Sequence, residues 1–93
     1  MNDHHSRLVV DFVESYRRYR KGRIGLQELQ GTVEAVLGAV DNSDAGLLRA
    51  LHWIDSELET VRFMWPADEH QIEVAKRVSR FMTEIGADPL QAS

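Results

Sequence analysis

The chain predicts an all-α fold, an antiparallel up-down-up-down four-helix bundle, and three observations lead there. Apolar residues recur at alternating spacings of three and four in four successive stretches, and no stretch keeps a period of two beyond a few residues. Helix-stopping residues separate the stretches at Gly22, at 41–44 (DNSD), at Pro66 and at Gly86. The intervening connections, about three to six residues, make consecutive helices antiparallel neighbours. The 93 residues form a single domain, because a second core needs something above ~100 further residues. Helices are expected at about 7–21, 26–40, 44–64 and 67–85, with frayed termini.

In the first stretch Val9, Phe12, Tyr16 and Tyr19 form the stripe, widened by Leu8 and Val13, and Gly22 supplies the left-handed stop. In the second, Leu26, Leu29, Val33, Val36 and Val40 make a heptad seam with Leu37 beside it. Gly31 and Gly38 lie on the opposite side. Each costs about 1 kcal/mol relative to Ala, which calls for a close-packed neighbour unless they are tolerated surface glycines. The third stretch is the longest, with Leu47, Leu51, Ile54, Leu58, Val61 and Trp65 in register, so it should be the spine of the core. Pro66 ends it, since the residue before proline is driven out of the helical region, and the same proline suits the start of the fourth helix. There Val74, Val78, Phe81 and Ile85 form the stripe, with Ala75 and Met82 alongside and a loose tail (ADPLQAS) after Gly86.

The totals restrict function more than they define it. Net charge is −4, but residues 1–23 hold six basic and three acidic groups, net +3, whereas residues 24–93 hold five basic and twelve acidic, net −7. Beyond the first helix the surface should therefore attract basic partners and repel phosphate backbones. No apolar run approaches the ~18 residues of a membrane span. The absence of cysteine excludes disulfides and thiolate chemistry, and fits a reducing, cytoplasmic setting.

Five of the eleven Lys and Arg residues fall within seven positions, Arg17, Arg18, Arg20, Lys21 and Arg23. Cations in the last turn complement the negative end of the helix dipole, at ~0.3 to 1 kcal/mol each, and that structural role suffices for them. Tyr16 and Tyr19 are interleaved with the charges but belong to the core stripe, so they are not free to stack on bases, and a nucleic-acid partner is disfavoured.

Catalytic motifs are missing. There is no Gly-x-Ser-x-Gly, no phosphate-binding glycine loop and no Glu-x-x-His pair of the kind that builds di-metal sites in bundles. The reversed spacing occurs as His52 with Asp55 and His70 with Glu73, which solvated helix faces produce often. His4 and His5 fall in the expected frayed terminus. The reading is a non-enzymatic domain with no catalytic residue, cofactor or metal.

The third helix offers a candidate partner surface. His52, Asp55, Glu59 and Arg62 share one flank of its stripe, while Trp53 and Glu57 share another. An aromatic among carboxylates suits a basic protein partner, because burying the ring supplies energy and the charges orient the approach. Trp53, Asp55, Glu57, Glu59 and Glu69 are the candidate contact residues. Trp53 and Phe63 both fall outside the strict seam. The alternative is self-association, a homodimer formed through Val10, Trp53 or Phe63.

Two segments, DFVESYRRYRKGRIGLQELQGTVEAVL and LLRALHWIDSELETVRFM, resemble small helical bacterial immunity proteins of the colicin-like type. The likeness runs from about Phe12 to Ile85 and consists of an aromatic helix, a Gly-basic-Ile connection, a Leu-rich helix and then a long helix. It implies a cytoplasmic bacterial protein that neutralises a toxin, commonly a nuclease, by covering a basic cleft with an acidic surface.

Overall fold

The computed structural model describes residues 3–86, which form four α-helices and no strand. They are α1 (Asp3–Arg20), α2 (Leu26–Ala39), α3 (Ala45–Met64) and α4 (His70–Glu84), with a 3-10 turn, Ala67–Glu69, leading into α4. The tail 87–93 lies outside the described residues.

The helix stops act as the sequence implies. Gly22 takes φ +74 and Gly86 φ +77. At the end of α1 the Gly22 amide donates to Tyr19 O (3.0 Å) and the Arg23 amide to Arg18 O (2.9 Å), the paired bonds of a Schellman turn. Asp44 caps α3 by accepting from the Leu47 amide at 2.9 Å. Trp65, held extended before Pro66, ends α3, and the His70 imidazole Nε2 donates back to Trp65 O at 2.7 Å, clasping α4 to the turn.

Two helix starts differ. α1 begins at Asp3, a full turn before the expected start, and His5 is not frayed but 1% exposed. Its Nε2 lies 3.3 Å from Asp41 Oδ1, and the neighbouring His4 Nε2 donates to Ala39 O at 3.0 Å. Polar contacts to the last residue of α2 and to the connection after it hold this turn in place of a longer apolar stripe. At the start of α4, a 3-10 turn, Ala67–Glu69, occupies the first three positions expected to be α-helical.

Each helix packs chiefly on its sequence neighbours. α1 and α2 are tied by the Ser15 and Thr32 hydroxyls, 2.9 Å apart, and α2 and α3 by Arg62, whose Nη1 donates to Gln30 Oε1 at 2.7 Å. α1 and α4 meet through large side chains, with the Phe12 and Phe81 rings edge to face at 5.2 Å between centroids. The Gln71 side-chain Nε2 also donates to Tyr19 O and Arg20 O, both at 3.4 Å, so the start of α4 sits by the end of α1 as antiparallel packing requires. The core contains every stripe residue of α3 up to Val61, which makes that helix the spine. Trp65 and Ile85 pack at its margin. Gly31 and Gly38 have no close neighbour; a Cβ at either would meet nothing within 4 Å.

Candidate functional site

The two flanks of α3 separate as the spacing implies. Arg62 turns toward α2, while Trp53 and Glu57 turn toward α4, where basic side chains meet them. The Arg80 guanidinium lies 5.1 Å from the Trp53 ring centroid, and Arg77 Nε donates to Glu57 Oε1 at 3.1 Å. Arg77 is the hub of this seam. Its Nη1 donates to Glu73 Oε1 and to Glu73 O, each at 2.9 Å, and its guanidinium stacks 5.0 Å from the Trp65 ring centroid. These contacts, with those from Lys76, hold the Glu73 carboxyl below the ordinary glutamate range.

The five candidate contact residues therefore do not form one patch. Trp53 is half-buried against the core and Glu57 is bonded to α4. Asp55 is half-buried, and its Oδ1 is shielded from solvent without a hydrogen bond among the described residues. Glu59 is exposed on the outer face of α3, and Glu69, also exposed, belongs to the turn before α4. The aromatic beside the free acid is Phe63 rather than Trp53. Phe63 is 69% exposed, one helical turn from Glu59, with Arg62 5.0 Å from its ring centroid. Met64, Ile72 and Val10 are the other exposed large apolar side chains among the described residues.

A second surface escapes the sequence reading. Leu8 and Asp11 of α1, with Glu28, Gly31, Thr32, Ala35 and Val36 of α2, line an open groove of about 440 Å³ on the outer side of the α1–α2 seam. Its lining is mainly apolar, with one carboxylate contributed by each helix. The Thr32 hydroxyl is occupied within the chain, by Ser15 and by a 3.3 Å bond to Glu28 O. The signal for this groove was present in part, since Gly31 and Ala35 are small residues one turn apart. Which neighbour that side of α2 would face was not.

At the basic end of α1, Tyr16 and Tyr19 are buried, and burial pushes both phenols above their ordinary value. The cations there surround no exposed ring. Among the described residues no group of three or more His, Cys, Asp or Glu could hold a metal ion, and no helix is long and apolar enough to cross a membrane. His52 stands exposed on α3, and His70 is engaged with Trp65 O.

No known protein family, characterised protein or solved structure matches the chain.

Proposed function

We propose that this chain is a non-enzymatic protein-binding domain, an immunity-type inhibitor that neutralises a basic bacterial toxin domain in the cytoplasm by docking an acidic helical surface on it. The observation that carries the reading is the outer face of α3, where exposed Phe63 stands one turn from exposed Glu59. A ring that buries on contact, with a carboxylate to orient a cationic partner, is the usual composition of an interface anchor. The net charge of −7 over residues 24–93 supports an approach by a basic partner.

The test is to mix the purified chain with a toxin domain encoded beside it. A stable complex is expected, with Phe63→Ala weakening it by about 2 kcal/mol and Glu59→Lys slowing its formation. Absence of a complex overturns the inhibitor reading.

Exposed Val10, Phe63, Met64 and Ile72 favour a second reading, a helical regulatory module that forms homodimers. Light scattering across a concentration series separates the two, because a monomer throughout excludes the dimer.

A further inference from the structure

We infer that the groove between α1 and α2 is a docking site for one amphipathic helix of a partner protein, a helix with an apolar stripe flanked by Lys or Arg. The inference rests on the chain being a protein-binding domain, but it uses a face other than the outer side of α3.

The floor and the walls specify the occupant. Leu8, Ala35 and Val36 supply apolar surface, and Asp11 on α1 and Glu28 on α2 place one carboxylate on each side of it. Neither is in an ion pair among the described residues. Glu28 receives only a long 3.4 Å bond from the Gly25 amide. Two acids without an ion-pair partner among the described residues, one on each helix beside apolar surface, match a greasy stripe with cations on both shoulders.

Gly31 supports the same reading. It adopts no left-handed backbone, and a Cβ there would meet nothing within 4 Å, so nothing within the fold requires glycine at a helix position that it weakens. A helix laid along the groove would require it, since a small residue lets two helix axes approach closely.

Other occupants fit less well. An extended peptide needs free main-chain donors and acceptors, but both walls are helix sides whose backbone groups are already bonded. A small molecule would stay largely solvated in a groove this open. A second copy docked by two-fold symmetry would bring Asp11 and Glu28 against their own counterparts.

The probe is a synthetic helical peptide as long as α1, with leucines at heptad spacing and lysines on both flanks, paired with a control in which glutamates replace the lysines. Each is titrated into the isotope-labelled full chain while amide shifts are followed. Shifts should centre on residues 8, 11, 28, 31, 32, 35 and 36, with the glutamate peptide about tenfold weaker or worse. Gly31→Leu should fill the groove and weaken the lysine peptide at least about tenfold while melting no lower than the parent. Asp11→Asn should narrow the difference between the two peptides.

The proposal is overturned by shifts centred on Phe63 and Glu59, by equal affinity for the two peptides, by unchanged binding to a folded Gly31→Leu chain, or by no shifts at all. It is also overturned if the groove amides move with protein concentration alone, which would mark a second copy. A toxin that fails to bind the chain sinks the inhibitor reading and leaves this titration as it stands.

Discussion

Arg77 links Glu57 of α3, Glu73 of α4 and the Trp65 ring across the α3–α4 seam. It is only 15% exposed on its side chain, bonds carboxylates on two helices and stacks on Trp65. A solvent-exposed ion pair is worth ~0.2 to 1 kcal/mol and an exposed cation–π contact about 0.5 to 1, so Arg77→Ala should cost about 1 to 2 kcal/mol in urea denaturation. Lys76→Ala, which removes one exposed pair, should cost clearly less. Acid stability follows from the same contacts. Glu73 is held low by hydrogen bonds from Arg77 and Lys76, and Asp41 by the hydroxyl and amide of Ser43, then by His5 and His4. A carboxyl with a depressed folded pKa contributes stability above its unfolded pKa and loses it as pH falls through the folded one. Both contributions should be complete above about pH 5 and drain away in more acidic solution. Glu73→Gln should flatten that limb in unfolding measurements at stepped pH, and an unaltered profile would contradict the assignment. His5 was readable only in hindsight. It continues the spacing of Val9, Phe12 and Tyr16 four positions earlier, but a histidine in a polar terminus does not announce burial. The carboxylate that approaches its ring, Asp41, is distant in sequence.

At the scale of elements, the glycines divide by backbone rather than by composition. Gly31→Ala and Gly38→Ala should each raise stability by about 0.5 to 1 kcal/mol, because neither position is crowded and neither needs a positive φ. Gly22→Ala should lower it by about 1 kcal/mol, since the turn after α1 holds φ at +74. Asp44→Ala should cost about 1 kcal/mol by freeing the Leu47 amide. Thermal melts of the four variants would order them, and a stabilised Gly22→Ala would refute the account of that turn. The helices themselves were legible because stripe and stop signals agree: heptad spacing, two left-handed glycines, an aspartate cap and a proline all say the same thing. The interaction surface was not. Spacing places Trp53 and Glu57 on one side of α3, but whether that side meets water or Arg77 and Arg80 depends on where α4 lies.

For the whole molecule, the Phe12–Phe81 pair decides how firmly the first helix holds the last. Either ring truncated to alanine should cost about 3 to 5 kcal/mol, a large part of the ~5 to 15 that stabilises a small domain. A double-mutant cycle should return a coupling of about 0.5 to 1.5 kcal/mol for the edge-to-face contact. Near-perfect additivity would mean that the rings do not act on each other. Amide exchange in milder variants such as Phe81→Leu should quicken first in α1 and α4, with α2 and α3 protected longer. The same arrangement has a consequence in time. Since close helix pairs follow chain order, a nascent polypeptide leaving the ribosome can assemble α1 on α2 and then α3 on α2 without waiting for its remainder. The Phe81 ring and the Gln71 side-chain amide of α4 reach back to α1, so that seam closes after the sequential pairs have formed.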